Sequence, residues 1–128
     1  MLDHVGLAVR DVARSRAFYE QALAPLGYRV LGAVPPEETA SGGAAVLFGV
    51  DEPDFVIADN ERPGEGNHVA FRAESRAQVD AFHAAALAAG GRDNGGPGLR
   101  PQYGLNYYAG FVLDPDGFNV EAVCHRDA

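Results

Sequence analysis

The sequence repeats itself after 64 residues, and this internal repeat limits the fold more than any other feature. The segment HVGLAVRDVARSRAFYEQALAPLGYRV, which starts at His4, aligns without gaps with HVAFRAESRAQVDAFHAAALAAGGRDN, which starts at His68. Phe18 falls on Phe82 and Gly27 on Gly91. Because both ends of the segment match, chance is a poor explanation. The repeat predicts two tandem copies of one structural unit.

Each copy opens with a strand and continues into a helix. Residues 2–9 and 67–73 alternate between apolar and polar side chains, which is typical of a strand. Asp11 is the expected N-cap of the first helix, and Ser75, followed by Gln78, is a capping box for the second. Apolar residues then recur at helical spacing, and each helix is expected to end at glycine, the first at Gly27 and the second at residues 90–91.

Three shorter strand candidates complete each copy. They are residues 28–33, 44–49 and 54–59 in the first copy, and roughly 92–95, 107–113 and 118–124 in the second. The glycine- and proline-rich stretch 93–106 is expected to form an irregular loop over a cleft. The predicted fold class is α+β, with one domain (1–128) made of two βαβββ modules (1–60 and 66–125) and a linker at 60–66.

Composition and charge restrict the partners and the chemistry. Of the 128 residues, 47% are hydrophobic and 22% charged, as in a globular domain. The net charge of −8 argues against binding to nucleic acid, and no apolar run approaches the length of a membrane span. All ten basic residues are arginine, which excludes a lysine nucleophile. The single cysteine, Cys124, cannot form an intrachain disulfide, so we expect a cytoplasmic protein.

Strand alternation directs three polar side chains away from the core. Side chains alternate across a strand, so the apolar residues of each opening strand lie under the helix and His4 and His68 point to the opposite, concave side. In the last strand, Val120, Ala122 and Cys124 form the core-facing set, which leaves Glu121 for the cleft. Two histidines and one carboxylate bind divalent transition metals and leave positions open for a substrate. An unpaired buried glutamate would be costly, and a bound cation removes that cost.

A second group of polar and aromatic residues is concentrated in and after the long loop. Its members are candidate substrate-binding residues that would line a pocket opposite the metal: Arg100, Tyr103, Asn106, Tyr107 and Tyr108. Only one of the two adjacent tyrosines can face the cleft, and alternation alone does not say which. The alternative is that the tyrosines only anchor the loop by packing.

Three segments carry a resemblance to a known family: LDHVGLAVRDVARSRAFYEQALAPLGYRV, GNHVAF and YYAGFVLDPDGFNVEAV. They resemble the vicinal oxygen chelate superfamily, which includes glyoxalase I, fosfomycin-resistance enzymes, bleomycin-resistance proteins and extradiol dioxygenases. The resemblance covers essentially the whole chain. It implies paired βαβββ modules that form an open, cup-shaped mixed sheet around a central cleft, commonly in a homodimer. It also implies one divalent metal ion (Fe, Mn, Zn or Ni) held by His4, His68 and Glu121.

The sequence departs from the pattern of each enzyme branch. Glyoxalase I carries a fourth ligand late in its first module, where the repeat offset places Ile57, so glyoxalase I activity is not expected. Extradiol dioxygenases add a catalytic histidine and tyrosine. Of the remaining histidines, His83 lies on the helix stripe, and His125 shares the alternation of Glu121 but lies close to the last residue. The fosfomycin branch would require a cationic pocket.

These observations favour a metal-dependent enzyme that acts on a small oxygenated organic substrate, with Glu121 as the catalytic residue. Lewis-acid chelation of two neighbouring oxygens would allow isomerase, lyase or dioxygenase chemistry. The alternative is a metal-free module that binds or sequesters a small molecule, as bleomycin-resistance proteins do. The sequence leaves open the substrate, the reaction, the metal, and whether the site lies within one chain or across a dimer.

Overall fold

Two successive βαβββ modules make up the chain in a computed structural model that describes residues 2–38, 42–59, 62–64 and 67–128. The first module contains β1 (Val5–Ala8), α1 (Val12–Leu23), β2 (Arg29–Val34), β3 (Ala45–Gly49) and β4 (Pro53–Ala58). The second contains β5 (His68–Arg72), α2 (Arg76–Ala88), β6 (Arg92–Leu99), β7 (Tyr108–Leu113) and β8 (Asn119–Cys124). The predicted α+β class and the repeated element order are confirmed. The ends of the predicted linker, Asn60, Glu61, Glu65 and Gly66, lie outside the described residues.

Each module forms its own four-stranded mixed sheet. The strand orders are β1-β4-β3-β2 and β5-β8-β7-β6, so the two sheets have the same topology. In both sheets the first strand is parallel to the last, and the remaining pairs are antiparallel. Within the described ranges no ladder joins one sheet to the other. The described part of the chain therefore contains two separate four-stranded sheets, where the resemblance implies one cup-shaped sheet.

Local signals in the sequence set the helix ends. Asp11 accepts a hydrogen bond from the Arg14 backbone N–H at 3.1 Å, and Ser75 accepts one from the Gln78 N–H at 3.2 Å. The first helix passes into a 3₁₀ turn (Ala24–Leu26) before the expected glycine, Gly27, adopts a φ of 86°. In the part of the chain that the structure describes, no helix has the length and apolar character needed to cross a membrane.

The two modules share one aromatic core. Fully buried rings of both helices and of the first sheet pack together, among them Phe18, Tyr19, Phe48, Phe55 and Phe82. Phe71 of β5 extends this core across the modules, with its ring centroid 5.2 Å from that of Phe55. Burying one such side chain contributes about 1.5–3 kcal/mol. Two apolar residues that the periodicity assigns to the core, Val5 and Leu87, are instead 40% and 38% exposed.

About half of the segment 93–106, which the sequence predicts to be an irregular loop, belongs to a strand. Residues 92–99 form β6 and pair with β7, with register shifts between Asp93 and Gly95 and between Gly95 and Gly98. The strand predicted at 92–95 thus extends through residues 96–99, which the sequence does not predict as strand because glycine has low strand propensity. The true loop begins at Arg100, whose N–H donates to the Tyr107 carbonyl at 2.7 Å.

Candidate functional site

Glu121 is the most deeply buried carboxylate of the second sheet, and two side chains hold it. Only 2% of Glu121 is exposed. The Tyr107 hydroxyl donates to Glu121 Oε2 at 2.5 Å, and His68 Nε2 lies 3.0 Å from Glu121 Oε1. The parallel pairing of β5 and β8 places His68 opposite Asn119, two residues from Glu121. Both carboxylate oxygens of Glu121 therefore have a side-chain partner.

The hydrogen bonds of His68 indicate which ring nitrogen carries its proton. Nδ1 lies 2.9 Å from the Asn119 carbonyl oxygen, which can only accept, so Nδ1–H is the donor. A neutral imidazole has one N–H, so its Nε2 lone pair then faces the Glu121 carboxylate. A cation must lie between these two atoms, either a proton or a metal ion.

A metal ion fits these two residues. A metal-ligating histidine commonly donates its other ring N–H to a backbone carbonyl, as His68 does to Asn119. His68 Nε2 and Glu121 Oε1 face each other at 3.0 Å, and an imidazole nitrogen and a carboxylate oxygen are both ligand types that divalent transition metals accept. The pair is suited to be two ligands of one divalent ion.

Aromatic rings surround the pair. Phe111 of β7 stacks with the His68 ring at a centroid distance of 6.4 Å. The rings of Tyr103 and His125 pack edge-on against Tyr107, at 5.4 and 5.3 Å. Sequence reasoning missed Phe111, although alternation from Tyr107 places it on the same face.

Burial and the neighbouring Glu121 carboxylate raise the pKa of Tyr107 to about 12, burial being the larger cause. A phenol next to a carboxylate resists ionisation because a second negative charge would be repelled. Tyr107 therefore stays protonated at physiological pH. It can hold Glu121 in one orientation or donate to a negatively charged oxygen of a bound ligand.

Tyr108 faces the opposite side of β7. Its hydroxyl donates to Asp80 of α2 at 2.6 Å, and the Arg76 guanidinium lies over its ring at 5.2 Å. The hydrogen bond to Asp80 is the main cause that raises the pKa of Tyr108. Of the two adjacent tyrosines, Tyr107 is the one that faces the cleft. The predicted place of Tyr108 in the substrate pocket is wrong.

The remaining predicted pocket residues lie along the loop before β7. The Arg100 guanidinium lies over the Phe111 ring at 5.4 Å and donates to the Gly96 carbonyl at 2.7 Å. Tyr103 is largely exposed apart from its contact with Tyr107. Asn106 has a φ of 62° and shapes the return of the loop into β7. Arg100 and Tyr103 thus remain candidates for ligand contact.

His4 lies apart from the other two proposed ligands within one chain. Its Nδ1 contacts Asp3 Oδ1 at 2.7 Å, and its side chain is 59% exposed. It borders a cavity of about 220 Å³ whose wall includes Tyr28, Asp54 and Phe71. Across the described ranges, no three His, Cys, Asp or Glu side chains are grouped so that they could hold a metal.

Of the two arrangements that the sequence leaves open, the one in which His4, His68 and Glu121 converge within a single chain is therefore not observed. Alternation predicts which face of its own strand a side chain occupies. It does not predict how the two sheets are placed relative to each other. His4 belongs to the first sheet, whereas His68 and Glu121 belong to the second.

Comparisons with solved structures agree with the tandem fold. A glyoxalase/bleomycin resistance protein from Albidiferax ferrireducens T118 is 32% identical, with a TM-score of 0.75, and the match covers 97% of this chain and 98% of that one. Glyoxalase I from Zea mays is 25% identical, with a TM-score of 0.67 over 95% of this chain, which spans only 45% of the maize protein. A glyoxylase/bleomycin resistance protein/dioxygenase domain from Frankia sp. EAN1pec is 20% identical, with a TM-score of 0.72 over 98% of both chains, and shows the fold alone.

A search of curated proteins finds no match. The sequence profile of the glyoxalase/bleomycin resistance protein/dioxygenase superfamily, in contrast, matches residues 1–122. This match covers both modules and every residue of the site around Glu121 except His125. The chain therefore belongs to the glyoxalase/bleomycin resistance protein/dioxygenase superfamily.

Proposed function

We propose that this protein is a divalent-metal-dependent enzyme that acts on a small oxygenated organic substrate, with His68 and Glu121 as metal ligands. The observation that carries the proposal is the orientation of His68. Its Nδ1–H donates to the Asn119 carbonyl, which leaves Nε2 facing Glu121. A divalent ion bound there would act as a Lewis acid on two neighbouring substrate oxygens. Isomerase, lyase and dioxygenase chemistry are all compatible with this site.

The third proposed ligand, His4, is expected to come from a second copy of the chain. Within one chain His4 is exposed and separated from His68 and Glu121. Exposed apolar side chains flank both halves of the proposed site: Leu2 and Val5 beside His4, and Leu99, Tyr103 and Leu105 in and before the loop that leads to Tyr107. A homodimer would cover these side chains and complete the ligand set.

The residues around the ligands have separate roles in this proposal. The Asn119 carbonyl fixes the orientation of the His68 ring, and the Tyr107 hydroxyl holds Glu121 Oε2. Glu121 is the proposed catalytic residue, and Oε2 is the atom that would accept a proton from the substrate. Tyr107 keeps its own proton, and once Oε2 is protonated its single O–H can donate instead to a substrate oxygen on which negative charge develops.

One observation favours the alternative of a metal-free binding module. With a proton between His68 and Glu121, the polar atoms of His68, Glu121 and Tyr107 satisfy one another without any metal. Such a cleft, lined by the rings of Phe111, Tyr103 and Tyr107, would suit a small planar compound. Ligand binding would then be unaffected by EDTA.

The first test is elemental analysis of protein purified without a metal-affinity tag. We expect close to one Fe, Mn, Zn or Ni ion per chain in the wild type, and loss of the metal in His68→Ala and Glu121→Ala. His83→Ala is the matched control, because His83 bonds to Asp93 on the outer side of the sheet and should not affect metal content. Absence of any divalent ion, even after reconstitution, would show that the enzyme proposal is wrong.

A mixed dimer tests the origin of the third ligand. Co-expressed His4→Ala and Glu121→Ala subunits, isolated as the heterodimer, should regain one of two metal sites if each site combines His4 of one chain with Glu121 of the other. If His4 and Glu121 of the same chain form the site, the heterodimer should hold no metal. The two homodimeric variants provide the baseline for both outcomes.

A further inference from the structure

We propose that Arg100 recognises a carboxylate group of the substrate, so that the ligands of this cleft are small acids whose vicinal oxygens and carboxylate lie at opposite ends. This inference rests on the proposed function, because it assumes that the cleft beside Glu121 receives the substrate. It adds the chemical class of the substrate and the residue that selects it.

The guanidinium of Arg100 lies close against two glycines, where an added side chain would force it to shift by a few tenths of an ångström. A Cβ atom added at Gly98 would lie 3.1 Å from Nη1, and one added at Gly95 would lie 3.3 Å from Nη2. Nη2 donates to the Gly96 carbonyl at 2.7 Å. Gly95 has a φ of 146°, which few residues with side chains adopt. The irregular register of β6, with its glycines, thus leaves a space in which the Arg100 guanidinium lies.

Arg100 has no acidic partner in the described part of the chain, although the protein carries a net charge of −8. Four other arginines have one, namely Arg10, Arg14, Arg16 and Arg126, whereas Arg29, Arg72, Arg76 and Arg92, like Arg100, have none among the described residues. A guanidinium presents five N–H donors in a planar fork that matches a carboxylate. Most of these donors remain available for a ligand. A single cation of this kind suits a monoanion.

Phe111 connects Arg100 with the proposed metal ligands. The Arg100 guanidinium lies 5.4 Å from the ring centroid of Phe111, and the His68 ring stacks with the same ring at 6.4 Å. A ligand lying along the Phe111 ring would therefore have one end near His68 and Glu121 and the other near Arg100. Vicinal oxygens at the first end and a carboxylate at the second fit this arrangement.

The test compares two probes of equal shape, 3,4-dihydroxybenzoate and 3,4-dihydroxybenzamide. Both carry vicinal oxygens, and only the first carries a negative charge opposite them. We expect the wild-type protein, loaded with metal, to bind the acid about tenfold more tightly than the amide, since hydrogen bonds to charged groups are the strong ones. Isothermal titration calorimetry measures both affinities.

Variants of two arginines on the same part of the fold make the comparison specific. Arg100→Gln should remove the preference for the acid, whereas Arg100→Lys, which keeps the charge but loses the fork, should retain part of it. Arg92→Gln is the matched control, because Arg92 is an exposed arginine at the start of β6 and its loss should leave the preference unchanged. If Arg100 had only a structural role, Arg100→Gln would weaken the binding of both probes equally.

The outcomes separate this inference from the proposed function. Equal binding of acid and amide to metal-loaded wild type, or a preference that survives in Arg100→Gln, would overturn the role of Arg100 while the metal site stands. If the protein holds no metal but still prefers the acid through Arg100, the recognition of carboxylates stands and the enzyme proposal fails. If phenylphosphonate displaces the acid at lower concentration than benzoate does, the assignment to carboxylates is wrong.

Discussion

The hydroxyl of Tyr19 in the first module donates a hydrogen bond to Asp114 Oδ2 in the second module at 2.7 Å, and both side chains are buried. Asp114 also accepts from the backbone N–H groups of Asp116 and Phe118 at 2.8 Å each. Burial raises the pKa of both Tyr19 and Asp114. The turn between β7 and β8 is thereby anchored to α1, and this contact is one of those that hold the two modules together.

Replacing Tyr19 by phenylalanine should lower the free energy of unfolding by about 1–3 kcal/mol, because Asp114 would lose a buried donor while the ring packing is kept. Urea denaturation followed by circular dichroism measures the change. Tyr103→Phe is the control, since the largely exposed Tyr103 makes only a ring contact and should change stability by less than about 0.5 kcal/mol. Equal stability of Tyr19→Phe and the wild type would show that the Tyr19–Asp114 bond contributes nothing.

This contact also explains which features the sequence could predict. Three predicted features depend on residues close together in the chain, and all three are observed. They are the repeat, the helix caps at Asp11 and Ser75, and the side of its strand on which Glu121 lies. The relative placement of the sheets depends on inter-module contacts such as the one between Tyr19 and Asp114. The repeat offset maps Asp114 onto Val50, so the repeat does not predict this contact. Sequence periodicity therefore predicted that His68 and Glu121 lie together, but it could not decide whether His4 joins them within one chain.

Tyr107 and Tyr108 offer a comparison between the two faces of one strand. Tyr107→Phe removes the donor that holds Glu121 Oε2, so the affinity for the proposed divalent metal should fall about 10–100-fold. Tyr108→Phe removes a hydroxyl that contacts only Asp80 on α2, and metal affinity should stay unchanged. Competition with a fluorescent chelator measures both affinities. Equal affinities in the two variants would mean that Tyr107 does not position Glu121.

The lowered pKa of Asp93 should make stability depend on pH in the acid range. The backbone N–H of Gly95, and next the His83 side chain, hold the pKa of Asp93 below its ordinary value of 3.8. A carboxylate with a lowered pKa in the folded state contributes stability above its unfolded value, and the contribution is lost as the pH falls through the folded value. Asp93→Asn should therefore lower the melting temperature near neutral pH, and the difference from the wild type should shrink below about pH 4. A difference that stays constant with pH would contradict this role.

Glu121→Gln separates the structural from the chemical role of the buried carboxylate. A glutamine amide can accept from the Tyr107 hydroxyl through its oxygen and donate to the His68 Nε2 lone pair through its NH₂ group, so it needs no cation between the side chains. Metal-free Glu121→Gln should therefore unfold at a urea concentration at least as high as that of the metal-free wild type. Added metal should raise the stability of the wild type, by about 2.7 kcal/mol at a hundred times its dissociation constant, and leave the variant unchanged. Because the variant keeps the fold and loses only the negative charge, equal stabilisation of both proteins by metal would place the ion elsewhere than at Glu121.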